Sequence, residues 1–234
     1  MSVTVWEIDL RCDLSQVATL AARLSPDELN RAQRFVRERD RHRFTVARGA
    51  LRTVLAGVLG NARPVSLVFN DGAYGKPSLA SPCNPHELRF NLAHSHDLAL
   101  LAITQGQEVG VDVEYVRPEV EILALAQRFF SPAESQRLAG LPESEQIQAF
   151  FDCWARKESY IKARGEGLNL ALARFEVGFG RGQPACLRVD RGDPHACSRW
   201  HLRDLGTRPG YRAALTVEGA IGVMHRAEFN ISGN

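Results

Sequence analysis

The sequence repeats one order of structural signals, and this repeat constrains the fold more than any other feature. Two four-residue segments, Ser-Pro-Asp-Glu at 25–28 and Ser-Pro-Ala-Glu at 131–134, begin 106 residues apart. Each predicts a helix start, because serine caps the first turn, proline suits the first helical position and the glutamate completes a capping box. A strand precedes each segment, and a long helix and several strands follow it. This order predicts an α+β fold of two similar lobes, residues 1–105 and 106–234, with a ligand site between them.

Local hydrophobic patterns place the elements of the two lobes. In the first lobe, "RFTVARGALRTVLAGVLG" (43–60) has one apolar face at helical spacing, and in the second a long helix is predicted over 145–164. The segments "LRFNLAHS" and "LALLAIT" are expected to pair as neighbouring strands. Further strands are predicted at "VTVWEIDL", "VSLVF", "EVGVDVEYV", "RFEVGF", "CLRVD", "RWHLRDL" and "YRAALTV".

The composition is that of a soluble globular protein, with 44% hydrophobic and 24% charged residues among 234. No apolar segment has the length of a membrane span and the N-terminus lacks the pattern of a signal peptide, so we expect a cytoplasmic protein that does not enter membranes. The net charge of +2 gives the whole chain no general attraction for nucleic acid. Five scattered cysteines form no Cys-x-x-Cys pair, which argues against a disulfide framework or a zinc site.

The segment "WARKESYIKARGEGL" (154–168) carries the strongest chemical signal. An apolar stripe at helical spacing runs up to Trp154 and continues onto Glu158 and Lys162. An unpaired carboxylate that faces inward is costly, so a cation shared with other carboxylates would stabilise Glu158 there. The alternative is an ordinary ion pair between Glu158 and Lys162, one helical turn apart on a solvent-facing surface.

Asp112 and Glu114 lie two residues apart on the predicted strand "GVDVE" (110–114), so their side chains share one face of it. Two neighbouring carboxylates repel each other unless water or a cation lies between them. Mg²⁺ prefers carboxylate, water and phosphate oxygens as ligands. The pair therefore fits either the polar side of a half-buried strand or a hard-cation site that Glu158 completes.

The basic residues are unevenly distributed. Of 29, only Lys76, Lys157 and Lys162 are lysines, and the others are arginines. In such a background we interpret the lysines as positions where a compact ammonium is required, with chance placement as the alternative. Eight arginines lie within residues 31–52 and form either a solvated helix face or an anion site.

Two histidines, His94 and His96, share one face of the strand in "FNLAHSHD" (90–97). A hydrogen-bonded structural role is the ordinary interpretation. A zinc site would need a matching cluster that the sequence lacks elsewhere, and Ser95 lacks the G-x-S-x-G context of a hydrolase nucleophile.

Five segments together resemble the Sfp-type 4′-phosphopantetheinyl transferases in their order and spacing. The joint pattern G-V-D-x-E followed by W-x-x-K-E-x-x-x-K is far more specific than either part, and the resemblance covers roughly residues 20–215. It implies a monomer of two pseudo-symmetric α+β lobes with coenzyme A bound between them. The segments are "YGKP" (74–77), "FNLAHS" (90–95), "GVDVE" (110–114), "FFSPAE" (129–134) and "WARKESYIKARGEGL" (154–168).

Carried over by motif, the resemblance implies roles for the acidic residues and for two basic ones. Asp112, Glu114 and Glu158 match the ligands of Mg²⁺, and Glu158, Lys162 and His94 match catalytic positions. Lys162 and His94 correspond to groups that contact the pyrophosphate of coenzyme A. The base that accepts the proton of the serine hydroxyl is either Glu158 or a water bound to the metal, and the sequence does not decide between them.

The resemblance also implies contacts to the nucleotide part of coenzyme A. Lys76 and Pro77 match the segment near the nucleotide, and Arg31 and Arg43 match basic positions near the 3′-phosphate. Other arginines of residues 31–52 are alternatives for the 3′-phosphate, because the sequence departs from the family pattern in this region. The departures are Glu28, Phe44 and, in "FNLAHS", Ala93.

The implied reaction transfers the phosphopantetheine arm of coenzyme A to a serine of an apo acyl or peptidyl carrier protein and releases 3′,5′-ADP. Lys157 is left open as a second phosphate contact or a surface residue. Two other functions compete with this interpretation. A metal-dependent phosphohydrolase would use water as the acceptor, and a non-catalytic module would only bind coenzyme A or the carrier.

Overall fold

The structure, a computed structural model, describes residues 2–60, 62–72, 74–167 and 170–231. Met1 and residues 232–234, which end the two predicted lobes, and Leu168, which ends the segment 154–168, lie outside these ranges. The helices are α1 (Leu14–Ala21), α2 (Pro26–Gln33), α3 (Glu38–Val58), α4 (Ile122–Phe129), α5 (Pro132–Ala139), α6 (Glu143–Arg164) and α7 (Ala196–Arg199). The strands are β1 (Ser2–Asp9), β2 (Phe69–Asp71), β3 (Pro77–Leu79), β4 (Leu88–Ser95), β5 (Leu98–Gln105), β6 (Val109–Tyr115), β7 (Phe175–Val177), β8 (Leu187–Asp190), β9 (Trp200–Asp204), β10 (Tyr211–Glu218) and β11 (Val223–Glu228).

The two halves of the chain repeat one topology. In the first, β1 pairs with β5 and β5 with β4; in the second, β6 pairs with β10 and β10 with β9, all antiparallel. Each half inserts two short helices, a long helix and a two-stranded hairpin between its first strand and the other two. The predicted α+β fold with two similar lobes is therefore confirmed.

Both predicted capping boxes are present. Ser25 accepts a hydrogen bond from the Glu28 backbone and Glu28 bonds back to Ser25, and Ser131 and Glu134 form the same reciprocal pair at the start of α5. Both glutamates are buried. The Glu28 carboxylate accepts a 2.5 Å hydrogen bond from Arg52 on the long helix α3. Glu134 lies 2.7 Å from Lys157 on α6 in the same way, so each box anchors a short helix to the long helix of its lobe.

The two sheets pack face to face, with helices on their outer sides. Strand β5 is buried on both faces: Leu98 and Leu100 point into the space between the sheets, whereas Leu101 and Ile103 point towards α3. The valines of β6 and the apolar residues of β10 fill the same central space from the second sheet. The result is a helix–sheet–sheet–helix arrangement held by three apolar cores.

Two strands differ from the sequence-based prediction. The predicted strand "VSLVF" is wrong over most of its length, because Pro64–Ser66 form a 3₁₀ turn and only Phe69 belongs to a strand. Conversely, β11 was not predicted, and it pairs in parallel with β1. The boundary after residue 105 stays a prediction, but this last strand joins the sheet of the first half. Among the helices within the described ranges, none is long and apolar enough to span a bilayer.

Candidate active site

One face of β6 presents Gly110, Asp112 and Glu114 to the second lobe's long helix α6, while the valines between them pack between the sheets. Gly110 permits the close approach of α6. A Cβ at this position would lie 2.1 Å from the carbonyl oxygen of Ser159 and 2.3 Å from the amide nitrogen of Ala163. The predicted alternation along this strand is confirmed, and Asp112, at 3% exposure, does not face solvent.

Helix α6 buries its first half in the core and lines a cleft with its second. Phe150 and Phe151 lie in the core of the second lobe. Glu158, Ile161 and Lys162 instead line a cavity of about 290 Å³. The predicted continuation of the apolar stripe onto charged residues is therefore present in the structure.

The cavity lies between the two lobes. The first lobe contributes Tyr74, Lys76, Pro77 and Asn91 to its walls, opposite the α6 residues. Residues from "YGKP" and "FNLAHS" thus meet residues from "WARKESYIKARGEGL", which are far apart in the sequence. This position agrees with the prediction of a ligand site between the lobes.

Lys162 and Asp112 form an ion pair at the cavity wall. The ammonium nitrogen of Lys162 lies 2.5 Å from Oδ1 of Asp112. The side chain of Lys162 is 30% exposed and that of Asp112 is 4% exposed. The other carboxylate oxygen of Asp112, Oδ2, is buried and has no hydrogen-bond partner among the residues that the structure describes. Such an oxygen is costly to bury and is normally satisfied by a donor or a cation.

Burial and the charge of Asp112 affect the carboxyl groups of Glu114 and Glu158. Burial, followed by the charge of Asp112, raises the pKa of Glu114 to about 7, although Ser95 donates a 3.0 Å hydrogen bond to its Oε2. The same two causes, in the same order, raise the pKa of Glu158. Lys162 responds in the opposite sense: burial lowers its pKa, but the three nearby carboxylates outweigh that effect and the net pKa is raised.

The three carboxyl groups fit a cation chemically. Within the described ranges, no three histidine, cysteine, aspartate or glutamate side chains are already drawn together as a metal site. One ligand would both supply a partner for the buried oxygen of Asp112 and reduce the repulsion that contributes to the raised pKa values of Glu114 and Glu158. A hard divalent cation is a ligand of this kind.

Lys76 joins three segments at the end of the cavity. Its ammonium lies 2.7 Å from Glu108 Oε2 and donates hydrogen bonds to the carbonyl oxygens of Val109 and Ala163, at 3.0 and 3.1 Å. Burial lowers its pKa despite the neighbouring Glu108. The structure therefore brings Lys76 and Pro77 to the cavity, with the ammonium of Lys76 engaged by protein groups. Their role at the nucleotide stays a prediction.

Two residues of "FNLAHS" that sequence reasoning had not assigned connect the lobes. Asn91 accepts a 2.9 Å hydrogen bond from the backbone of Val111, and Ser95 accepts one of 3.1 Å from the backbone of Tyr115. Ser95 also positions Glu114 through its hydroxyl. The signal in the sequence was the alternation of polar residues on β4, which places positions 91 and 95 on one face.

His94 lies in a positively charged environment. Partial removal of its ring from water lowers its pKa, and the charges of Lys162 and Arg43 lower it further. Arg43 itself is held by Asp97, at 2.5 Å. The structure thus places Lys162 and Arg43 within electrostatic reach of His94, as expected for a site that attracts an anion.

Arg31 is not among the residues lining the 290 Å³ cavity. It lines a separate surface cavity of about 680 Å³ together with Arg34 and Phe35, and its guanidinium lies over the ring of Phe44 at 5.4 Å. Its predicted contact with a 3′-phosphate stays a prediction.

Lys157 is neither a phosphate contact nor a surface residue, so both alternatives considered for it are wrong. Its side chain is fully buried, and its ammonium lies 2.7 Å from Glu134. It also donates hydrogen bonds to the carbonyl oxygens of Leu172 and Phe175. The neighbouring Glu158 takes the cavity face of α6, which turns Lys157 into the core.

Two family models match the chain in succession. The model described as "4′-phosphopantetheinyl transferase, N-terminal" matches residues 11–106, and that described as "4′-phosphopantetheinyl transferase superfamily" matches residues 108–216. Among solved structures, the holo-(acyl-carrier-protein) synthase of Thermotoga maritima aligns with a TM-score of 0.36 and 22% identity, over 48% of this chain and 62% of that chain.

Curated relatives match over most of the chain. The 4′-phosphopantetheinyl transferase Sfp of Bacillus subtilis (strain 168) is 29% identical over 194 residues, which cover 82% of this chain and 81% of that protein. The 4′-phosphopantetheinyl transferase HetI of Nostoc sp. (strain PCC 7120) is 39% identical over 217 residues, which cover 93% of this chain and 88% of HetI. Identity at this level over nearly the whole length shows that the chain belongs to the 4′-phosphopantetheinyl transferase family.

Proposed function

We propose that this protein is a Mg²⁺-dependent enzyme that transfers the 4′-phosphopantetheine arm of coenzyme A to a serine of an apo acyl or peptidyl carrier protein. One observation carries the proposal beyond family membership. Glu158 and Lys162 line a cavity between the lobes, Asp112 pairs with Lys162 at its wall, and the charge of Asp112 contributes to the raised pKa values of Glu114 and Glu158, which suits three carboxyl groups that share a divalent cation.

Asp112, Glu114 and Glu158 are the residues that would hold Mg²⁺. Two of them come from one face of β6 and the third from α6, which Gly110 allows to lie directly against that strand. A bound Mg²⁺ would supply positive charge to the pyrophosphate and so stabilise the departing phosphate.

The basic groups would bind the anionic parts of coenzyme A. Lys162 lines the cavity and His94 lies under the influence of Lys162 and Arg43, so these groups suit the pyrophosphate. Lys76 and Pro77 line the opposite wall and suit the nucleotide. A phosphate contact from Lys76 would require its ammonium to exchange Glu108 for the ligand.

The reaction is a displacement at phosphorus. The serine oxygen of the carrier attacks the phosphorus attached to the pantetheine arm, one P–O bond forms, and the bridging P–O bond of the pyrophosphate breaks. The leaving group, 3′,5′-ADP, takes the bonding electron pair. We assign the serine proton to Glu158, because this carboxyl group lines the cavity that we assign to the substrate.

One chain contributes both walls of the cavity, so it contains all the side chains that we assign to the site. We therefore propose that the monomer is active. We also propose a cytoplasmic location, which suits five cysteines that are all free in the structure.

The release of 3′,5′-ADP separates this function from phosphohydrolysis. We would incubate the protein with coenzyme A and Mg²⁺, with and without an apo carrier, and quantify 3′,5′-ADP by chromatography. A transferase releases it only when the carrier is present. Release at the same rate without the carrier would show that water is the acceptor, and no release under either condition would indicate a module that only binds.

A further inference from the structure

We propose that Lys162 competes with the metal for Asp112: in the metal-free protein its ammonium occupies the place beside this carboxylate that the cation must take. The inference rests on the proposed function, because it takes Asp112 as a ligand of the metal. Before coenzyme A and the metal bind, the ammonium of Lys162 would provide the positive charge beside Asp112 that the metal provides afterwards.

The ion pair between Lys162 and Asp112 is the basis for the proposed competition. The ammonium of Lys162 lies 2.5 Å from Oδ1 of Asp112, while Oδ2 of the same carboxylate is buried and finds no hydrogen-bond partner in the described part of the chain. Asp112 is thus only half satisfied by Lys162. A divalent cation on this carboxylate would face an ammonium at hydrogen-bond distance from the same group, and two cations so close repel strongly in a poorly hydrated site.

Lys162 has room to leave, whereas the helix that carries it does not. Its side chain is 30% exposed and lines the 290 Å³ cavity. The backbone of α6 is fixed on the second sheet by the contact at Gly110 and by a 2.8 Å hydrogen bond between the hydroxyls of Ser159 and Thr216. The displacement is therefore confined to the four-carbon stem of Lys162, which is flexible.

The same displacement would deliver the ammonium to the substrate. A Lys162 side chain that leaves Asp112 moves into the cavity that we assign to the pyrophosphate. Metal binding thereby prepares the anion site, and an anion that attracts Lys162 makes Asp112 more available to the metal. Such coupling is necessarily reciprocal.

The test measures metal affinity without any substrate. We would titrate the coenzyme A-free protein with Mn²⁺ and follow free Mn²⁺ by electron paramagnetic resonance. The variant Lys162→Met should bind Mn²⁺ on the order of tenfold more tightly than the parent, within the 5–150-fold range typical of coupled sites. The matched control is Arg117→Met, which removes an exposed arginine whose charge acts on Glu114. It should change the affinity by less than about threefold.

Asp112→Asn supplies the second arm of the test. In that background the direct competition for Asp112 no longer exists, so Lys162→Met should raise the residual Mn²⁺ affinity by clearly less than it does in the parent. Circular dichroism spectra would establish that each variant is folded.

Three results would overturn the inference. Equal or weaker Mn²⁺ binding by Lys162→Met would do so while leaving the metal site intact. An equal gain of Mn²⁺ affinity in Arg117→Met would show that removal of any nearby positive charge explains the effect. Absence of Mn²⁺ binding in all variants, with transfer that persists in a chelator, would refute the metal assignment of the proposed function and this inference together.

Discussion

Lys157 on α6 lies 2.7 Å from Glu134 at the start of α5, and both side chains are fully buried. The first lobe repeats this relationship with Glu28 and Arg52, at 2.5 Å. In both lobes, therefore, the capping-box glutamate of the short helix also binds a cation on the long helix. In the second lobe this anchor lies next to Glu158, so it fixes the rotation of α6 that turns Glu158 into the cavity.

Lys157→Met should destabilise the fold, because it leaves the Glu134 carboxylate buried without its cation. Breaking a buried pair in this way costs about 3–5 kcal/mol, which urea unfolding would measure. The double variant Glu134→Gln with Lys157→Met removes both charges and should recover much of that loss. A single variant as stable as the parent would contradict this account.

Gly110→Ala should separate α6 from β6. The new Cβ would lie 2.1 Å from a carbonyl oxygen of Ser159, so the helix must move, and overpacking of this kind costs about 1–3 kcal/mol or more. Transfer activity should fall with stability, since Glu158 moves with the helix. Gly57→Ala is the matched control: apart from its chain neighbours and its own helix backbone, no atom of the described residues lies within 4 Å of a Cβ there, and the change should stabilise α3 by up to about 1 kcal/mol. Equal stabilities of the two variants would refute the close-packing argument.

Metal-free protein should lose stability as the pH rises from about 5 to 7. The pKa of Glu114 is about 7 in the folded protein against 4.5 for an ordinary glutamate. Between these values the folded state binds more protons than the unfolded state, so the free energy of unfolding falls with rising pH. Urea unfolding in a chelator at several pH values would measure the slope.

Glu114→Gln should flatten this slope, and saturating Mg²⁺ should raise the stability of the parent most at the upper end of the range. A slope unchanged by the substitution would show that Glu114 does not titrate as described.

The sequence predicted the elements and motifs well where local signals are strong. The capping boxes at Ser25 and Ser131 and the alternation around Asp112 depend on neighbouring residues and are confirmed. The strand β11 was missed because it is an edge strand with mostly exposed residues, so it carries little hydrophobic alternation. Its place is decided by pairing with β1, which no local pattern reveals.

The partners of the lysines could not be read from the sequence either. Lys157 and Lys162 lie five residues apart on one helix, yet one is buried against Glu134 and the other lines the cavity beside Asp112. Helical spacing gives the face of each residue but not which element covers that face. Likewise, Lys76 is engaged by Glu108 and two carbonyl oxygens, which only the packing of three segments brings together.

Lys162→Arg should slow transfer on the order of tenfold or more, about 1.4 kcal/mol or greater in transition-state stabilisation. The charge is preserved, but a planar guanidinium is wider than an ammonium beside a buried carboxylate and a metal-held pyrophosphate. Steady-state rates against one carrier would measure the effect. Arg203→Lys, on β9 and outside the cavity, is the matched control. Parent-like rates in Lys162→Arg would show that charge alone suffices.

The most direct test of the account is the intact mass of an apo carrier after incubation with the protein, coenzyme A and Mg²⁺. We predict a mass increase of one phosphopantetheine, absent with a chelator, absent when the modified serine is replaced by alanine, and lost in Asp112→Asn. Glu228→Gln, an exposed substitution on the edge strand β11, should leave the increase unchanged. A carrier whose mass stays constant with the parent protein, or one modified equally well by Asp112→Asn, would contradict the account.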